Sequence, residues 1–252
     1  MSGERSGIRA FRWLPGFSPG AAATTLRGMR RVALFARAPG GAQVKTRLQP
    51  ALPRRLAASL YAAVLADSFT AVAACGAHEH FVFWADEPGQ APSSFSSGRQ
   101  RGASLGERLN AAFDELLGAK VSRALIAGSD APSLAAAHLD AALAALERHD
   151  VVLGPATDGG YWAVGLRRPA PAIFRDIPWS TDRVLEVTVA RARAAGLTVA
   201  TAATLADLDT PGDLARLVGR LAAGEGACGT LARAELESLG LLPSRVASPP
   251  YS

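Results

Sequence analysis

Cysteine, histidine and lysine are all scarce in this chain of 252 residues. The two cysteines, Cys75 and Cys228, lie far apart, and the four histidines are scattered. Neither set has the close spacing that zinc coordination requires, and so few cysteines fit a reducing, cytoplasmic setting better than a disulfide scaffold. No Ser-His-Asp or Cys-His arrangement and no His-Glu-x-x-His motif is visible, which leaves covalent hydrolysis without support. The Gly-x-Gly-x-x-Gly fingerprint is missing after the first predicted strand, disfavouring a dinucleotide dehydrogenase. Dense basic runs interleaved with aromatics are also lacking. The net charge of +5 is spread along the chain. A nucleic-acid groove needs a focused stripe, so no nucleic-acid partner is expected.

The shortage of lysine has a second side. Of 27 basic residues, only Lys45 and Lys120 are not arginine. A compact ammonium and a planar guanidinium behave differently at a phosphate, so a lysine retained inside a glycine-rich loop is notable, although a surface lysine would look the same.

What is present is apolar residue: 49% of the chain is hydrophobic, enough for a sizeable core. The first 28 residues are rich in Gly, Ser, Arg and Ala and predict a disordered extension. Residues 29–240 predict one domain, and 241–252, rich in Pro and Ser, a flexible tail. The stretch 56–77 is apolar, but it is mostly alanine and carries Ser59, Tyr61, Asp67 and Thr70. A buried or amphipathic helix is expected there, not a membrane span.

Short β-type runs are predicted at 31–36, 80–85, 123–127, 150–154, 162–166 and 198–201. Helical segments are predicted at 53–75, 104–117, 134–148, 181–195 and 212–222, with Ser104 and Glu107 as a capping pair. Residues 90–102 read as a Pro/Ser/Gly loop. The alternation predicts an α/β fold, a Rossmann-like, mostly parallel sheet flanked by helices on both faces.

In such sheets ligands bind beyond the carboxyl ends of the strands. Four segments there carry candidate chemistry. Arg37-Ala-Pro-Gly-Gly-Ala-Gln-Val-Lys-Thr-Arg47 has glycines that admit a ligand to the backbone and three basic side chains for phosphate. A plain turn explains it as well, and a P-loop is disfavoured because Val44 stands where a glycine precedes the lysine. Asp130, after the third predicted strand, could hold Mg²⁺ or cap the next helix. Asp158, Gly159 and Gly160 could face a substrate or simply form a hairpin turn. Asp207-Leu-Asp-Thr-Pro-Gly-Asp213 has three aspartates where one cap suffices, which makes Asp209 a plausible second metal ligand.

Taken in order, Phe35-Ala-Arg-Ala-Pro39, Val44-Lys-Thr-Arg-Leu48, Leu105-Gly-Glu-Arg-Leu109, Gly128-Ser-Asp-Ala-Pro132, Gly154-Pro-Ala-Thr-Asp-Gly-Gly-Tyr161, Trp179-Ser-Thr181 and Asp207-Leu-Asp-Thr-Pro211 resemble a bacterial glycosyltransferase-A-like family, the arsenosugar-biosynthesis-type glycosyltransferases. These are distant relatives of the molybdenum-cofactor and phospholactate guanylyltransferases. The resemblance implies a nucleotide-diphospho-sugar transferase fold and a Mg²⁺ or Mn²⁺ cofactor. It implies that Asp130 and Asp209 are metal ligands and that Phe35, Ala36, Arg37, Lys45, Arg47 and Arg108 bind the nucleotide and its phosphates. By the same resemblance Asp158, Gly159, Gly160, Tyr161 and Trp179 face the sugar or acceptor. Lys45 and Asp130 would act in catalysis, with Asp158 as the best guess for a base. The expected partners are a nucleotide or nucleotide-sugar donor and a small acceptor. Nucleotidyl transfer from a triphosphate with release of pyrophosphate is the alternative reaction, and nucleotide sensing without turnover is a third.

Overall fold

The structure is a computed structural model, and it describes residues 28–41 and 44–243. The expected extension over 1–28, apart from Gly28, and most of the expected tail, 244–252, lie outside the described residues. A single sheet of seven strands organises the rest. The strands are β1 (Met29–Ala36), β2 (Glu79–Trp84), β3 (Phe95–Arg99), β4 (Val121–Gly128), β5 (Val151–Pro155), β6 (Tyr161–Leu166) and β7 (Val199–Thr201). Their order across the sheet is β3-β2-β1-β4-β6-β5-β7. The pairs β1–β2, β1–β4, β2–β3 and β5–β7 are parallel; β6 runs antiparallel to both β4 and β5.

The central strands are apolar at successive positions because both sheet faces are covered. Alternate residues feed two cores, as the pleat requires. Val32, Leu34, Leu125 and Ala127 pack with α1 (Arg54–Ala74) and α3 (Ala136–Ala145). Ala33, Ala124, Ile126 and Leu153 pack on the opposite face with α2 (Leu105–Leu116) and α4 (Val184–Ala194). A third core joins the outer side of α1, through Ala57, Leu60 and Val64, to α5 (Pro211–Ala222) and α6 (Thr230–Ser238). Helix α1 is therefore buried on two sides. That explains its composition: among the described residues it alone is long and apolar enough to cross a membrane, yet half of its apolar window is buried inside the fold.

Two elements depart from expectation. The stretch 90–102 contains β3, which the sequence reads as loop. Phe95-Ser-Ser-Gly-Arg99 shows little apolar alternation because β3 is an edge strand with only Phe95 buried. Its place is set by backbone pairing to β2 and by the Trp84 indole, which donates to Ser97 Oγ at 2.9 Å. Helix α6 is not predicted at all, because its N-terminal cap is remote in sequence. Asp67 of α1 accepts the N–H groups of Leu231 at 3.1 Å and Ala232 at 2.7 Å. Gly229 must be glycine there, since a Cβ would collide with the Asp67 carboxylate. Replacing a capping carboxylate by alanine costs about 1 kcal/mol. Asp67→Ala should lower the free energy of unfolding in urea by that amount, and Asp67→Asn by less; an unchanged value in both would show that α6 is held by its apolar contacts alone.

Candidate active site

The carboxyl ends of β1, β2 and β4 open into a cavity of about 420 Å³. Phe35, Ala36 and Arg37 enter it from the end of β1, Ser129 and Asp130 from the end of β4, and Arg108 from α2. Tyr61 reaches it from α1, Tyr161 from β6, and Lys45 and Asp209 close one side. Phe35 is fixed by an edge contact to Phe83 at 5.9 Å, and the Ala36 carbonyl accepts the Ala85 N–H at 2.9 Å.

Lys45 is the most constrained of these residues. Its φ of 49° is left-handed, a conformation that L-residues other than glycine avoid. It precedes a short 3₁₀ turn, Thr46–Leu48, which Leu48 anchors in the core. The left-handed turn sends the side chain inward, where only 7% of it is exposed. Its Nζ stands 2.5 Å from Asp130 Oδ1, 3.8 Å from Asp209 Oδ1 and 5.5 Å above the Tyr61 ring. Arg47, mostly exposed, donates to the other oxygen of Asp209 at 2.7 Å. Arg37 turns its guanidinium to Asp86 at 2.6 Å, and Arg108 donates to the Gly102 carbonyl at 3.1 Å.

The capping explanations for the two aspartates do not hold. Helix α3 begins at Ala136, with Ala135 at its N-cap, so Asp130 does not cap it. Helix α5 is capped by Thr210 and Asp213, whose carboxylate also accepts the Asp209 N–H at 3.1 Å. Both Asp130 and Asp209 are left with carboxylates directed at one ammonium. Their segments are tied together by the Leu208 N–H, which donates to the Asp130 carbonyl at 2.9 Å.

Hard carboxylate oxygens that already converge on a cation are the donor type that Mg²⁺ and Mn²⁺ take. Among the described residues no group of three or more Asp, Glu, His or Cys side chains is arranged to hold a metal unaided. The residues fit a cation that draws its remaining ligands from phosphate and water, as Mg²⁺ commonly does.

Two residues of this region are not singled out by the sequence. Tyr61 looks like a core residue of α1. Its hydroxyl accepts the Arg37 N–H at 3.0 Å and lies 2.9 Å from Ser129 Oγ, so it pins the end of β1 to the end of β4. Burial, and then the Asp130 charge, push its pKa up to about 12, which keeps the phenol neutral. Asp207 is the other. Burial, followed by repulsion from Asp130 and Asp158, pushes its carboxyl up to about 7 against the pull of Lys45. The signal available for it is the surplus of aspartates between 207 and 213.

The glycine-rich segment lies elsewhere. Residues 156–160 form the hairpin connection between β5 and β6, and Asp158 Oδ1 accepts the Gly160 N–H at 2.9 Å within it. Asp158 does not line the cavity. At Gly159 φ is 89°, and a Cβ would run into the backbone of Asp182, so its small size serves the approach of the chain to itself. The Tyr161 ring lines the cavity, while its hydroxyl is buried and burial pushes its pKa up. Trp179 stands behind it, 6.3 Å away edge-on, and does not line the cavity.

Tyr61→Phe would leave the buried Ser129 hydroxyl and the Arg37 N–H without their partner. A loss of about 1–3 kcal/mol is expected in chemical unfolding. Gly159→Ala should cost about 1–3 kcal/mol through its backbone conformation alone, and more through the clash. Wild-type stability in either variant would contradict these roles.

With this geometry in hand, the chain can be set beside known proteins. A family described as "Uncharacterized protein conserved in bacteria (DUF2064)" matches residues 57–181, a span that contains Tyr61, Asp130 and Tyr161 but not Lys45 or Asp209. No curated protein matches. Among solved structures, a "putative nucleotide-diphospho-sugar transferase" from Desulfovibrio desulfuricans G20 is 26% identical, with a TM-score of 0.74, covering 85% of this chain and 96% of its own. A homologue of Mycobacterium tuberculosis Rv0371c from Mycobacterium sp. strain JC1 is 16% identical over 78% of this chain and 98% of its own, with a TM-score of 0.49. A CMP:2-keto-3-deoxy-manno-octonic acid synthetase complexed with CTP is 14% identical over 79% of this chain and 100% of its own, with a TM-score of 0.46. The α/β fold built around the seven-stranded sheet is that of the nucleotide-diphospho-sugar transferases.

Proposed function

We propose that this protein is a nucleotide-using transferase and that it moves a glycosyl group from a nucleotide-diphospho-sugar to a small acceptor. One observation carries the proposal: a buried lysine in a left-handed turn faces two aspartates at the mouth of a cavity built on strand ends. The likeness to the Desulfovibrio structure supports it.

In this reading Phe35, Ala36, Arg37 and Arg108 hold the nucleotide, and Lys45 and Arg47 meet its phosphates. The acceptor hydroxyl oxygen forms a bond to the anomeric carbon of the sugar. The bond between that carbon and the diphosphate breaks, its electron pair leaves with the nucleoside diphosphate, and the hydroxyl proton passes to a carboxylate. Negative charge accumulates on the leaving diphosphate. A preformed cation at that position lowers the barrier because little reorganisation is needed. The shielded Lys45 ammonium is such a cation. Lys45 pairs with the phosphate in place of Asp130, and Asp130 and Asp209 would then hold Mg²⁺ or Mn²⁺. A bound metal supplies Lewis-acid neutralisation of phosphate charge. The Tyr161 ring, backed by Trp179, forms the wall nearest the sugar. Asp158, Gly159 and Gly160 act at one remove, through the hairpin that sets Tyr161.

A thermal-shift panel of nucleotides and nucleotide sugars, with Mg²⁺, Mn²⁺ or chelator, followed by product analysis, tests this. Stabilisation of roughly 2.7 kcal/mol is expected at a hundredfold excess over Kd. Free nucleoside diphosphate should appear from a nucleotide sugar, and Lys45→Ala should slow its release by about 10²–10³-fold. Pyrophosphate from a triphosphate would replace glycosyl by nucleotidyl transfer, and no shift with any nucleotide would end the proposal.

A further inference from the structure

A second cavity, of about 460 Å³, opens beside the aspartates and is not used by the chemistry above. It lies between the start of α3, helix α5 and the segment 204–208. Asp207 forms part of its wall, and the same residue feels the charges of Lys45, Asp130, Asp158 and Asp209. The two cavities thus back onto one cluster of charges, Asp209 facing the first and Asp207 the second.

The second cavity differs in chemistry from the first. Ser133, Thr157 and Thr204 line it, and their hydroxyls have no hydrogen-bond partner among the described residues. His138 Nδ1 accepts the Ala135 N–H at 3.1 Å. In the neutral ring the proton then sits on Nε2, which is left as a donor. Helix α5 adds Arg216 and Arg220, one turn apart. Arg216 is held by Asp213 at 2.5 Å. Arg220 has no carboxylate partner among the described residues; its guanidinium makes only a 3.5 Å contact to the Glu225 carbonyl. Beside the carboxyl groups of Asp207 and Asp213, the latter paired with Arg216, the cavity therefore offers a guanidinium without a carboxylate partner, an imidazole N–H and three hydroxyls. These match a small molecule with several hydroxyls and one anionic group.

We propose that this cavity binds a small hydroxylated anion, a carboxylate or phosphate. Arg220 takes its charge, with His138 donating to it, and Thr157 and Thr204 meet its hydroxyls.

The test is an NMR titration of the full chain, following the His138 ring signals, with glycerate, glycerol 3-phosphate and glycerol as probes. Glycerate, glycerol 3-phosphate or both should shift His138 saturably while glycerol at the same concentration does not, and the better of the two identifies the anionic group. Arg220→Glu should weaken that binding at least tenfold, Arg220→Lys should restore most of it, and nucleotide-induced thermal shifts should change less than twofold. Nucleotide binding with no saturable shift from either anion, or an anion affinity unmoved by Arg220→Glu, would overturn this inference and leave the transferase reading intact. Anion binding in a protein that binds no nucleotide would overturn the transferase reading and leave this inference standing.

Discussion

One ammonium group organises this end of the molecule. Lys45 is held between Asp130 and Asp209, which come from two different connections, and over the ring of Tyr61 from a third element. Folding gains little from the arrangement. The left-handed backbone at Lys45 costs about 1–2 kcal/mol, and the pairs to Asp130 and Asp209 are offset by the cost of taking the ammonium out of water. Residues held in unfavourable backbone regions persist when their surroundings over-determine them, and they cluster at sites that bind or react. Such strain is expected of a cation prepared for phosphate, the role proposed for Lys45.

The scaffold makes this possible through sheet order. Parallel β1 and β4 are neighbours, and a crevice opens at their carboxyl ends. Tyr61 bridges that crevice with hydrogen bonds to Arg37 and toward Ser129. Helix α1 can supply Tyr61 on its sheet-facing side because its other side is buried under α5 and α6. The Asp67 cap on α6 and the Tyr61 ring beside Lys45 thus belong to one helix.

Much of this is legible in the sequence, and the limits have physical causes. The central strands announce themselves as apolar runs because they are buried on both faces. Ser104 announces its helix because capping is local. Strand β3 does not, because an edge strand is specified by backbone pairing more than by side chains. Helix α6 does not, because its cap comes from a residue more than 160 positions away. At the site, Lys45, Asp130 and Asp209 stand out as residue types that local structure does not require. Tyr61 is hidden, since a tyrosine on an apolar helix looks like core until its hydroxyl is seen to join two loops. Gly159 is conspicuous for a reason other than a ligand: the chain needs the space itself.

The central claim is that Lys45, Asp130 and Asp209 form one site for a diphosphate and a divalent cation. Electron paramagnetic resonance of Mn²⁺ titrated into the protein, with and without a nucleoside diphosphate, tests it most directly. Weak Mn²⁺ binding alone is predicted, since Lys45 already neutralises the carboxylates. Binding at least tenfold tighter is predicted with the diphosphate, and Asp130→Asn or Asp209→Asn should abolish that gain. Mn²⁺ affinity indifferent to the diphosphate, or indifferent to both substitutions, would contradict the account.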